Sequence, residues 1–191
     1  MSSPEYDLKF LQAGLVDLEG YLLSKEIYWP VVISSPPGEA PYPRLTLGSL
    51  LLAQARLQSG SLTPEQRTAF ERLNQRINEA RQRWQVAWSQ KAAREFHARL
   101  NLWRDYIEDY RKDPGGNVDR YDYEVSRRVM LELLQREAEG IPEAELDLLS
   151  GLDSFIRSVL RSGDFIWENE IQDVFPKSRY WYLYGRPRGS N

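Results

Sequence analysis

The sequence predicts an all-α fold: an irregular helical bundle built around one long central helix, about residues 63–112, with an extended aromatic C-terminal segment. Three observations carry that expectation. From Thr63 to Lys112 the only Gly or Pro is Pro64. Across the same stretch apolar residues recur in steps of three and four, at Phe70, Leu73, Ile77, Ala80, Trp84, Trp88, Ala92, Phe96, Leu100, Trp103, Ile107 and Tyr110, which is the period of one helical face. Near the C-terminus, Phe165, Trp167, Phe175, Tyr180, Trp181, Tyr182 and Tyr184 crowd together around Pro176, a pattern that fits an extended cover better than a continuous helix.

Taken in order, the chain opens with Leu8, Leu11, Leu15, Leu18 and Leu22, so Tyr6 to Leu23 reads as an amphipathic bundle helix. Ile27 to Ile33 is apolar but contains Pro30, and is expected to lie extended over the core. Ser34 to Pro43 carries four prolines and Gly38 and reads as a loop. Leu45 to Leu57 is apolar almost all round and predicts a deeply buried helix, capped by Thr46 and ended by Ser59-Gly60, packing on the Phe70–Trp84 half of the central helix.

The central helix has clear ends. Thr63 and Gln66 form a capping-box pattern with Pro64 at the first helical position; Arg111 and Lys112 suit the C-terminus, and Asp113-Pro114-Gly115-Gly116 stops it. At ~1.5 Å per residue it would run about 70 Å, long beside the radius of gyration of ~16 Å for a compact chain of this size. Either it breaks near Ser89-Gln90 or the molecule is elongated. No breaker residue stands there, so one long helix, bent if anything, is expected. Its apolar stripe advances from Trp84 to Leu100 in steps of four, each adding about 40°. The halves then face different sides, which predicts a single domain, 1–191, with two lobes sharing the helix: an N-terminal lobe about 5–88 and a C-terminal lobe about 89–184.

Beyond the turn, Val118, Tyr121, Val125, Val129 and Leu133 mark a helix running to about Glu139, and Pro142 opens another that ends near Gly163. Both should cover the Phe96–Tyr110 half. Asp164 to Val174 reads as a short helix, Pro176 to Tyr184 as an extended segment closing over the bundle, and Gly185 to Asn191 as frayed.

Composition narrows function mainly by exclusion. The net charge of −3 opposes a generally basic nucleic-acid binder. With no cysteine, disulfides, thiolate metal sites and cysteine nucleophiles are ruled out. No apolar run approaches the ~18 residues that span a bilayer, and Met1 to Asp7 lacks a basic-then-apolar leader, so no membrane association and a cytoplasmic location are expected. There is no P-loop, no Gly-x-Gly-x-x-Gly and no Gly-x-Ser-x-Gly. The single histidine, His97, has no Glu-x-x-His spacing around it. Asp105, Glu108 and Asp109, like Glu168, Glu170 and Asp173, read as solvated acidic faces; no metal, cofactor or catalytic residue is assigned.

Three candidate surfaces remain. Arg72, Arg76, Arg83 and Arg94 lie within about 40° of one another on an ideal helix, opposite its apolar stripe, as a basic ridge for an anion or a partner. Tyr180, Trp181, Tyr182 and Tyr184, set among cations, are a candidate aromatic interaction surface, with burial as the competing reading. Trp84, Trp88, Glu95 and His97 sit where the lobes should meet and are a candidate junction pocket. The leading expectation is a non-catalytic helical adaptor or assembly protein working through protein–protein contacts, with a protein partner or as a homo-oligomer. The alternatives are nucleic-acid or polyanion binding through the arginine ridge, and a helical enzyme or small-ligand binder using the junction pocket.

Overall fold

Local chemistry sets most helix starts. In the computed structural model, which describes residues 3–59 and 62–189, Ser3 accepts from the Tyr6 amide and Pro4 opens α1 (Pro4–Leu23). Thr46 and Ser49 cap each other's backbone at α2 (Leu47–Leu57). Thr63 and Gln66 do the same at α3 (Pro64–Arg83). The chain continues as α4 (Gln85–Lys112), a single turn α5 (Pro114–Asn117) capped by Asp113, a 3-10 turn at Val118–Arg120, α6 (Tyr121–Gln135) and α7 (Glu143–Val159). The fold is mostly helical, with one antiparallel ribbon of β1 (Leu160–Phe165) and β2 (Tyr184–Pro187).

The long central helix is present as two segments, α3 and α4, joined at Trp84 rather than near Ser89-Gln90. Trp84 has φ −115° and ψ 35°, so one residue leaves the helical basin. The hydrogen bonds from Trp84 N–H to Ala80 O (2.9 Å) and from Trp88 N–H to Trp84 O (2.8 Å) carry the helical course through the joint. The apolar stripe changes direction at the same residue.

The neighbours of α2 differ from expectation. Instead of lying along α3, it packs mainly on α1, α6 and α4, while α3 lies against α1. The reason is polar. Glu95 of α4 is fully buried and its carboxylate accepts from the Gly48 amide at the first turn of α2 (3.0 and 3.1 Å) and from Arg99 Nε (2.6 Å). Arg99 also donates to Thr46 Oγ1 (2.9 Å), and Tyr21 Oη of α1 accepts from Leu47 N–H. A helix N-terminus is electropositive, so this carboxylate both satisfies and holds α2 against α4. Nearby, buried Lys91 donates to the Ser24 and Glu26 carbonyls (2.8 and 2.7 Å) and lies 4.5 Å from the Tyr21 ring centroid, tying the end of α1 to α4.

The C-terminal half is held in the same manner. Arg128 of α6 is buried, donates to both Asp153 oxygens of α7 (2.8 Å each) and sits over the Tyr182 ring. Glu132 accepts from Arg179 (2.7 Å), and Glu124 is paired with Arg120 and Arg127. Two expectations for the tail are corrected. The helix opened by Pro142 ends at Val159, and residues up to Phe165 form β1; within the expected helix 164–174 only Asn169–Val174 is helical, as 3-10. The end is not frayed through Gly189: β2 pairs to Pro187, Arg188 N–H donates to Val159 O, and Tyr110 Oη donates to Arg188 O (2.6 Å). Ser190 and Asn191, like Gly60, lie outside the described residues. Buried side chains from Phe10 to Tyr184 make one connected apolar cluster. Among the described residues no helix is long and apolar enough to cross a membrane.

Candidate functional site

A groove of about 460 Å³ runs between α1 and α3. Leu15, Leu18, Ala80 and Trp84 supply its apolar surface, and Glu19, Arg76, Glu79 and Arg83 its charged one. Helical spacing places these residues. Leu15, Leu18 and Glu19 share one edge of α1, while Arg76, Glu79, Ala80 and Arg83 share one edge of α3. Ala80 is the small residue in the α3 stripe, and a short side chain there leaves room that a Leu would fill. Trp84, at the joint, is half-buried.

The four ridge arginines, Arg72, Arg76, Arg83 and Arg94, are all exposed. Most other arginines here are engaged: Arg56 pairs with Asp7, Arg81 with Glu137, Arg99 with Glu95, Arg104 with Asp105 and Glu108, Arg120 with Asp109 and Glu124, Arg186 with Asp122. Among the described residues, none of the four ridge arginines makes an ion pair or a side-chain hydrogen bond. Arg76 and Arg83 line the groove directly. Arg72 precedes Arg76 by one turn. Arg94 lies beyond the joint, beside Lys91, whose pKa is lowered by burial first and by the Arg94 charge second.

The tail aromatics are placed otherwise. Tyr180, Tyr182 and Tyr184 are buried and Trp181 is half-buried, so these rings are docked rather than displayed. Phe175, Tyr180 and Tyr182 meet edge to face in succession, with centroids 5.0 and 6.1 Å apart. Tyr184 donates to the Phe175 carbonyl, and Tyr121 of α6 donates to the Tyr182 carbonyl (2.6 Å). The Arg157 guanidinium covers the Trp181 ring at 3.7 Å. Burial pushes the Tyr121 and Tyr182 hydroxyls far above their ordinary range, which keeps both neutral.

Trp84, Trp88, Glu95 and His97 do not converge on one pocket. Trp84 lines the α1/α3 groove. Trp88 borders a separate cleft of about 260 Å³ among α2, α3 and the end of α6, where its Nε1 donates to Glu137 (2.9 Å) and Gln54 donates to Asn74. Glu95 is committed to Gly48 and Arg99. His97 is exposed, with Nδ1 2.7 Å from Glu145 Oε1. The four side chains point in different directions, and the carboxylate among them is spent on structure.

The groove residues Leu15, Leu18, Glu19, Glu79 and Ala80 were not singled out by sequence reasoning. The signal for them was Ala80, the smallest residue in the α3 stripe, flanked by Arg76 and Arg83. Asp105 and Glu108 are balanced by Arg104, and Asp109 by Arg120. Among the described residues no cluster of three or more metal-binding side chains occurs. The chain matches no protein-family model, no curated protein and no solved structure.

Proposed function

We propose that this chain is a non-catalytic helical adaptor or assembly protein that acts through protein–protein contacts. One observation carries the reading. Of the eight large apolar side chains left exposed among the described residues, six belong to the outer face of α1, the segment after it, or the start of α4: Val16, Leu23, Tyr28, Val32, Ile33 and Val86. The start of α4 is brought to the end of α1 by Lys91, which holds the main chain at Ser24 and Glu26. Single exposed apolar residues are ordinary, but a concentration of them marks an association surface.

The rest of the molecule supports a presenting role. The Arg56–Asp7 pair joins α2 to α1, hydrogen bonds of Glu95, Arg99 and Lys91 join α4 to both, and Arg128–Asp153 joins α6 to α7, so the surface is carried on a fixed frame. The test is static light scattering over a concentration series, joined to fluorescence of an apolar dye bound to the native protein. Expected are dye binding and a rise in mass with concentration, both reduced by Val16→Asp with Leu23→Asp. A mass fixed at one chain together with no dye binding overturns the reading.

A further inference from the structure

We infer that the α1/α3 groove docks an acidic amphipathic helix of a partner protein, with the apolar side of that helix on Leu15, Ala80 and Trp84 and its carboxylates on Arg76 and Arg83. This rests on the adaptor reading and assigns it a second surface beside the exposed apolar residues.

The shape comes first. A furrow between two packed helices accepts a third helix by the same ridge-into-groove packing that joins the first two. Leu15, Ala80 and Trp84 are each only half-buried within it. Tryptophan and arginine are the residues that most often dominate binding energy when they lie side by side at an interface, and here Trp84 follows Arg83 directly.

The charge identifies the occupant. Arg72, Arg76 and Arg83 follow one edge of α3, exposed and without ion-pair partners among the described residues, in a chain whose net charge is −3 and whose other arginines are largely paired. Glu19 and Glu79 lie in the same groove, so a segment whose carboxylates meet Arg76 and Arg83 and whose cation meets Glu19 adds attraction at both signs. A polyanion such as nucleic acid fits less well. Its phosphates would meet Glu19 and Glu79 in the same groove, and its backbone has no apolar face for Leu15, Ala80 and Trp84. A protein helix can place a cation against Glu19 where a phosphate backbone cannot.

The experiment uses the full chain and three fluorescent probes in anisotropy titrations at low and physiological salt: a synthetic peptide with Leu at helical spacing, one Lys on the edge that meets Glu19 and Glu elsewhere, the same residues in scrambled order, and a single-stranded oligonucleotide. The expected result is saturable binding of the amphipathic peptide, weakened about tenfold or more by Arg76→Glu with Arg83→Glu and about tenfold by scrambling. Both arginines are exposed, so the variant should keep the wild-type circular dichroism. Three results overturn the assignment: no saturable peptide binding, equal affinity for the scrambled peptide, or oligonucleotide binding in place of the peptide with the same arginine dependence. The Val16→Asp with Leu23→Asp variant separates the two readings. If its self-association and dye binding fall while the peptide never binds, the adaptor reading stands and the groove assignment alone fails.

Discussion

Glu95 is the residue on which the most neighbours depend. Its carboxylate satisfies the Gly48 amide and holds Arg99, which in turn reaches Thr46. Glu95→Ala therefore leaves a buried guanidinium and a buried N–H without their acceptor, and chemical denaturation should show a loss of about 3–5 kcal/mol. Gly48→Ala attacks the same point from the other side. A Cβ there would lie 2.6 Å from Glu95 Oε1 and 2.9 Å from Arg99 Nε, two atoms already fixed by each other. It should cost about 1–3 kcal/mol by overpacking. Leu50 and Trp103 are fully buried, and truncating either to Ala should cost roughly 2–5 kcal/mol; near-wild-type midpoints would mean the core lies elsewhere. Glu132 supplies a pH prediction. Burial raises its pKa, but the Arg179 hydrogen bond and the charges of Arg128, Arg179 and Arg136 outweigh burial and hold it below its ordinary 4.5. The unfolded chain thus takes up this proton first as pH falls. The stabilisation is complete above pH 4.5 and is lost as pH drops through the folded value. In urea titrations across that range, Glu132→Gln should flatten the acid-side loss of stability.

Among the elements, those that close their ends by local chemistry were legible. Thr63 with Gln66 and Thr46 before α2 mark helix starts with nearby side chains, and the structure places the starts there. Elements fixed by distant partners were not. Trp84 carries no breaker, and the joint falls where the stripe must turn from α1 toward α6. The α2 helix is apolar almost all round, so its sequence offers no direction, and its true neighbours follow from Glu95, whose side chain looks in sequence like any surface carboxylate. β1 spans the expected end of one helix near Gly163 and the expected start of the next at Asp164; Leu160 to Phe165 lacks alternation, and its strand geometry comes from β2. At that ribbon Gly185 has φ +127°, and an added Cβ would run into the Arg161 carbonyl. Gly185→Ala should cost about 2 kcal/mol or more, and amide exchange should speed up along residues 160–165 and 184–187 before it does in α4. Of the candidate sites, the exposure of the arginines was legible from helical spacing alone. For the tail rings the sequence favours burial over display, and Tyr121 and the Phe175 carbonyl are the distant groups that hold them.

At the scale of the whole molecule, one apolar cluster joins the first helix to the last strand. Unfolding should accordingly be a single event, with tryptophan fluorescence and far-ultraviolet circular dichroism losing signal at the same denaturant concentration. Two separated transitions would divide the core. The connection between Glu95 and Gly48 also bears on synthesis. Forty-seven residues separate the two partners, so α2 leaves the ribosome well before the carboxylate that completes its first turn. Until then a nearly all-apolar helix waits with one buried-to-be amide unanswered. Only the emergence of α4 supplies the missing acceptor, so the first turn of α2 is completed after the helix itself has been made.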